Sequence, residues 1–317
     1  MTVSGPGSFI RVLKGIVDLA LEFEAKTGLL IRAPIQAQAY RIGASDQYPM
    51  ITRKVYAGLE LEVPYVPGSS FKGRMRSLLE LALGKKLYTT DRKIWQHVRN
   101  LSAMDLKDFV DDVVSRCVVD ELFGYAAANY EQIKEEFEKS QKSGIQLKIS
   151  VDEVFKNMTL TRLIVDDFFP TEEYVSKIGA KSIEDFLEDK YENRIDRVTS
   201  AADPRDVVRV KPGARFRGKV KLLVFDLDAD YLKVYLSTIA TGLKLIEATY
   251  LGSSGSRGYG RVKFVKIVVG ASKVEVINGM YPKLETLKLD KAEYDSVEAF
   301  ESAVENLAGS LKKDLFG

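Results

Sequence analysis

Two stretches of this 317-residue chain combine glycine, serine and cations in a pattern suited to holding phosphates. Leu251 to Arg261 reads LGSSGSRGYGR, and Tyr65 to Arg76 reads YVPGSSFKGRMR. Glycines let a backbone approach a ligand closely and leave N–H groups free to point at an anion. Lys72, Arg74, Arg76, Arg257 and Arg261 add formal positive charge, and Ser256 adds a hydroxyl beside Arg257. Cations in the first turns of a helix oppose its dipole unless an anion offsets them, which favours phosphate binding by Lys72, Arg74 and Arg76 over a merely solvated face. The spacing G-x-x-G-x-G matches neither the dinucleotide GxGxxG nor the P-loop GxxxxGK[ST], and the loop follows a predicted helix instead of opening one. RNA is therefore the first candidate ligand.

Regular elements must hold these loops. Gly15 to Glu24 alternates, with Leu19, Leu21 and Phe23 on one side, the period of a half-buried strand. Phe71, Met75, Leu78, Leu79 and Ala82 lie on one face of a helix, with Ser69 or Ser70 as its N-cap. Phe216 to Leu227 is a second extended run. Leu232, Tyr235, Leu236, Ile239, Leu243 and Ile246 then follow at helical spacing, and after the glycine loop Val262 to Val269 is again strand-like. This order predicts an α+β protein with a ferredoxin-like (RRM-like) βαββαβ core, built from two βαβ-like halves. The expected divisions are 1–83 for the first half, 84–160 for an acid-rich helical insertion and 161–215 for a thumb-like hairpin region. They continue with 216–270 for the second half and 271–317 for an extension. That extension ends in a helix through Val297, Phe300, Val304, Leu307 and Leu311, expected to cover the sheet edge or a neighbouring element.

Composition supports an ordinary globular protein, at 45% hydrophobic and 29% charged residues. A net charge of +2 does not disclose a polyanion partner. The distribution says more: Arg194 to Lys219 holds eight basic residues against three acids, whereas Asp105 to Lys139 holds ten acids against four bases, predicting one basic and one acidic face. A single cysteine, Cys117, excludes an internal disulfide and reads as a core residue, and no paired CxxC suggests structural zinc. The expected setting is a reducing cytoplasm, with no leader peptide and no membrane span.

Four blocks in order resemble the RAMP superfamily of CRISPR effector proteins, and within it the repeating backbone subunit of the type III-A (Csm) complex. They are TGLLI at Thr27 with IGASD at Ile42 to Asp46, PGSSFKGRMR at Pro67, ENRIDRVTSAADPR at Glu192 to Arg205, and GLKLIEATYLGSSGSRGYGRV at Gly242; Leu122 to Gly124 adds LFG. The resemblance covers about half of the chain. Two departures stand out: Leu30 to Ala33 replaces the histidine and paired glycines usual after TGL, and Ser253 replaces a glycine.

The resemblance implies that Asp46 is the catalytic aspartate for cleavage of target RNA opposite the guide, with a transient Mg2+ or Mn2+ shared between its carboxylate and RNA phosphate. It implies RNA contacts at Arg32, which takes the altered position, at Lys72 and Arg76 as the family-matched cations beside Arg74, and at Arg194, Arg197, Arg205, Ser256 and Arg257. It also implies a thumb that wedges apolar residues such as Ile195 and Val198 into the guide–target duplex. The expected partners are CRISPR RNA, complementary target RNA, other type III CRISPR subunits, and further copies or paralogues in a filament. The rival readings are a non-cutting scaffold paralogue, favoured by the altered TGLLIR segment, and a CRISPR RNA-processing endonuclease relying on His97, the chain's sole histidine. On its residues alone His97 reads as structural, and Phe168 and Phe169 read as core.

Overall fold

The computed structural model describes residues 10–34, 47–143 and 147–317. Alternation over the first apolar run makes β1 (Leu13–Ala25) the middle strand of the main sheet, with Val17, Leu19, Leu21 and Phe23 fully buried. Strand β8 (Arg215–Phe225) pairs with it on one side and β9 (Val262–Ile277) on the other, both antiparallel. Strands β4 (Leu163–Val165) and β10 (Tyr281–Thr286) complete the order β10-β9-β1-β8-β4, while the short strands β5 (Phe169–Pro170) and β11 (Glu293–Tyr294) add to β8 and β9. With β2 (Ile51–Tyr56) and β3 (Leu59–Pro64) paired in a separate antiparallel hairpin, the protein is a mixed α+β fold with antiparallel sheets. Strand β9 continues to Ile277 instead of stopping at Val269, because β10 folds back and pairs with its far half.

Register sets the core. Phe216 and Phe264 flank Phe23 on the two neighbouring strands, and the Phe23 and Phe216 rings stack at 5.4 Å. Helix α1 (Gly68–Ala82) sets Phe71 on Phe168 at 4.6 Å. Phe168 is fully buried, whereas Phe169 is half-buried against Tyr65, with Lys54 over its ring. Each such side chain removed from water contributes on the order of 2 kcal/mol.

The cap of α1 differs from expectation. Its N-cap is Pro67, and the free N–H of Gly68 is met by the Asp167 carboxylate at 2.7 Å, so neither Ser69 nor Ser70 serves. A side chain 99 positions away supplies the cap, which local sequence cannot reveal.

Four helices fall between residues 106 and 157: α2 (Leu106–Val114), α3 (Val118–Phe123), α4 (Tyr130–Lys142) and α5 (Val151–Asn157). Helices α2, α4 and α5 share a small core of Phe109, Val113, Ile133, Phe137 and Val154, while α3 joins the main core through Val119 and Leu122; capping boxes start α4 at Asn129 and α5 at Ser150. Helix α6 (Glu172–Ile178) follows β5. Helix α7 (Leu232–Ala248) buries all six residues whose spacing predicts it. The last helix, α8 (Val297–Phe316), packs along α7 and takes the placement against a neighbouring element; Lys244 and Glu301 bridge the two at 2.8 Å.

A buried ionic network joins the helical region to the sheet. Arg162 makes a bidentate pair with Asp228 at 3.0 and 2.8 Å and meets Glu121 at 2.5 Å, and all three side chains are fully buried. Arg116 reaches the same Asp228 and the Tyr235 hydroxyl of α7. Cys117 is buried nearby.

Candidate nucleic-acid interface

The glycine loop closes α7 and turns into β9 through a short 3-10 turn, Gly255–Arg257. Two of its glycines are forced. Gly260 has φ +70°, and a Cβ there would lie 2.0 Å from the Leu251 carbonyl; Gly252 has φ +84°, with its Cβ 2.5 Å from the Leu30 carbonyl. The loop is pressed onto the segment after β1: Gly260 donates to the Gly28 carbonyl at 3.0 Å, and Ser253 donates to Leu30 through both its N–H and its hydroxyl. The serine that departs from the family pattern therefore has a structural role. Leu30, the other departure, is fully buried with Val207 and Tyr259. Ser256 and Arg257 are exposed at the outer edge of the turn.

Residues 31–33 pair with residues 48–50 through Ala33 N–H to Tyr48 and Met50 N–H to Ile31, which clamps the two ends of the intervening segment. Asp46 itself lies outside the described residues. Its neighbour Gln47 does not, and its carbonyl accepts from Val208 N–H at 3.1 Å. Arg32 is exposed on this clamp, bridged through backbone to Pro49.

Strands β6 (Leu187–Ile195) and β7 (Ala202–Val210) form the hairpin expected of the thumb-like block. Its tip is held by Asp196, whose carboxylate accepts from Val198 N–H at 2.8 Å and Thr199 N–H at 2.7 Å; these backbone hydrogen bonds keep its carboxyl below the usual range. Val198 is 92% exposed beside Arg197, and Tyr191 and Ile195 also face solvent. The cations from Arg194 to Lys219 do not form one open face, because Arg209 pairs with Glu188, Arg215 with Glu24 and Arg217 with Glu22.

The hairpin, the glycine loop and residue 47 meet in one cleft of about 320 Å³, lined by Gln47, Glu192, Asp203, Arg205, Val207 and Arg257. Arg205 and Arg257 thus converge although 52 positions separate them in sequence. Arg194 approaches through Asp203, at 2.9 Å. Lys72, Arg74 and Arg76 do not join them. Lys72 donates to the Leu163 carbonyl at 2.8 Å, and burial pulls its ammonium below the usual lysine range. Arg74 donates to the Tyr250 carbonyl and stacks on that ring at 3.9 Å. Arg76 is bound to Glu80, Asp120 and the Gly124 and His97 carbonyls. Internal acceptors meet the charges that a helix N-terminus seemed to reserve for phosphate. Sequence reasoning passed over Gln47, Glu192 and Tyr259, although the last two lie inside motif blocks.

A model of the RAMP superfamily matches residues 22–263, from the end of β1 through the clamp, the hairpin and the glycine loop. The chain belongs to the RAMP superfamily. Among similar proteins, the CRISPR system Cms endoribonuclease Csm3 of Methanothermobacter thermautotrophicus is 34% identical over 81% of this chain and 87% of its own length. The Streptococcus thermophilus protein of the same name is 30% identical over 83% and 94%. The crystal structure of Methanopyrus kandleri Csm3 aligns with a TM-score of 0.49 at 18% identity, over 95% of this chain and 99% of that one.

Among the described residues of this RAMP protein, one group offers clustered metal-ligand atoms: His97, Asp112, Cys117 and Asp120, within 4.8 Å of one another. These residues lie in the helical region, away from the elements that line the cleft. Their charges are already matched. Arg99 binds Asp112 at 3.2 Å, Arg76 binds Asp120 at 3.0 Å, and His97 stands 3.4 Å from Asp112. Burial alone would lower the imidazole pKa, but hydrogen bonds to Asp112, Cys117 and the Lys86 carbonyl outweigh it and raise it to about 10. A raised folded-state pKa adds stability that is complete below about 6.5 and lost as pH climbs through about 10. At roughly 1.4 kcal/mol per pKa unit the ceiling is about 5 kcal/mol. Urea denaturation of the wild type should therefore show a midpoint falling between pH 6.5 and 10, and His97→Gln should flatten that fall; equal slopes would refute the assignment.

Proposed function

We propose that this RAMP protein is the backbone subunit of a type III CRISPR ribonucleoprotein, holding CRISPR RNA and acting as an endoribonuclease on complementary target RNA. The observation that carries this reading is the single cleft where Arg205 of the hairpin, Arg257 of the glycine loop and Gln47, next to Asp46, converge. Relatives at 34% and 30% identity named as endoribonucleases support it. In this reading Arg205 and Arg257 neutralise a phosphodiester, Ser256 and Arg32 touch the sugar-phosphate backbone nearby, and Arg194 and Arg197 hold phosphates along the hairpin. Ile195 and Val198 enter the base stack at the tip. Lys72, Arg74 and Arg76 support the loops from inside instead of touching RNA.

We read the core as ferredoxin-like: the succession β1, α1, β4, β8, α7, β9 and the order β9-β1-β8-β4 support it. Asp46 is assigned as the catalytic carboxylate. A hard oxygen donor beside phosphate oxygens suits Mg2+ or Mn2+, which when bound supplies charge neutralisation at the reacting phosphate. The ion-paired His97 group does not fit that role. Other type III subunits and further copies of this chain would flank it in a filament. Among the described residues no helix is long and apolar enough to cross a membrane, and a cytoplasmic setting belongs to the same proposal.

Because proteins of this kind read phosphates while base pairing reads sequence, RNA affinity should fall steeply with salt. Arg205→Ala and Arg257→Ala should each weaken target binding about tenfold at low salt and flatten the log–log salt slope by about one. Filter binding of the reconstituted complex from 50 to about 300 mM salt measures both effects. The reading itself is tested by cleavage of labelled complementary RNA in that complex, where regularly spaced cuts are expected and none would leave only a scaffold.

A further inference from the structure

Glu192 is held from three directions. The Tyr259 hydroxyl donates to its Oε1 at 2.6 Å, Lys190 Nζ lies 3.3 Å from the same oxygen, and the Arg257 guanidinium is 3.6 Å from Oε2. Tyr259 in turn is fully buried against Leu30 and Val207, so the carboxylate is anchored to the packed root of the hairpin and not to a mobile surface chain. Arg257, by contrast, is half exposed, and its other side-chain contact is the Ser254 hydroxyl at 2.9 Å.

We propose that Glu192 is a positioning residue: it holds the Arg257 guanidinium at the mouth of the cleft, oriented toward the target RNA phosphodiester, and through Tyr259 it registers the glycine loop against the hairpin. This rests on the cleavage reading above. An unrestrained arginine loses much of its rotamer freedom when it is fixed. A core-anchored anion removes much of that cost before RNA arrives. The separation of 3.6 Å is a charge contact and not a hydrogen bond, so apart from the N–H given to Ser254 the fork keeps its donors for phosphate oxygens. Burial and the neighbouring carboxylate push the Tyr259 phenol up to about 12, and the hydrogen bond from Tyr259 lowers the Glu192 carboxyl, so donor and acceptor keep their states across the neutral range.

Single-turnover cleavage and target affinity of the reconstituted complex test this with Glu192→Gln, Tyr259→Phe, Arg257→Ala and the double variant Glu192→Gln/Arg257→Ala. Glu188→Gln is the control: it breaks the 2.8 Å pair with Arg209 in the same ladder without touching Arg257. Glu192→Gln should lower the saturating cleavage rate about tenfold while target Kd stays within about threefold. Tyr259→Phe should move both in the same direction by less, Glu188→Gln should match wild type, and the double variant should be no slower than Arg257→Ala alone. Additive losses in the double variant, an unchanged rate in Glu192→Gln, or equal damage from Glu188→Gln would overturn the proposal. If the wild type does not cut, the cleavage reading falls by itself. The same cycle measured on RNA affinity then decides the positioning claim, coupling sustaining it and additivity rejecting it.

Discussion

Asp46→Ala is expected to leave guide RNA bound and to abolish target cleavage in the reconstituted complex, a loss on the order of a thousandfold or more. The expectation comes from the match of IGASD to the family's catalytic block, strengthened by where the chain returns: Gln47 is pinned to β7 and lines the cleft with Arg205 and Arg257. Labelled complementary RNA with Mg2+ or Mn2+ gives the readout, and guide affinity measured alongside shows that assembly is intact. Cuts that persist in the variant would assign catalysis to another residue or subunit.

Arg162→Ala is expected to destabilise the protein by roughly 3–5 kcal/mol, because it strands the carboxylates of Glu121 and Asp228 in a dry interior. Both acids and the guanidinium are fully buried, and Arg162 supplies a bidentate pair to Asp228 and a direct contact to Glu121. Against a typical total of about 5–15 kcal/mol, such a loss removes a large share of the stability. Arg162→Lys should recover only part of it, since an ammonium cannot reproduce the planar fork. The urea midpoint reports both variants, and a shift worth less than about 1 kcal/mol for Arg162→Ala would show that Arg116 alone satisfies the site.

The cations of α1 show where local reasoning ran out. Helix-dipole logic assigns Lys72, Arg74 and Arg76 to an external anion, but it cannot see acceptors brought in by other elements. Leu163 meets Lys72, Tyr250 meets Arg74, and Asp120 with Glu80 meets Arg76. The Ser69 or Ser70 cap failed for the same reason, the acceptor being Asp167. The hairpin block was legible, yet which cations from Arg194 to Lys219 are ion-paired became visible only once Asp203, Glu188, Glu22 and Glu24 were placed.

By itself the sequence determined the strands and helices that bury one face, since burial against a common core imposes a period of 2 on β1 and of 3.6 on α7 and α8. It also determined the family, because glycines forced by close backbone contact and the blocks around them keep their order along the chain. Only the tertiary structure decided which charged residues share a site. Glu192, Tyr259, Arg205, Arg257 and Gln47 meet because the glycine loop docks on the hairpin, bringing together Arg205 and Arg257 from 52 positions apart in the chain. A contact between distant segments is set by packing and register, and neither leaves a periodic trace in the residues that make it.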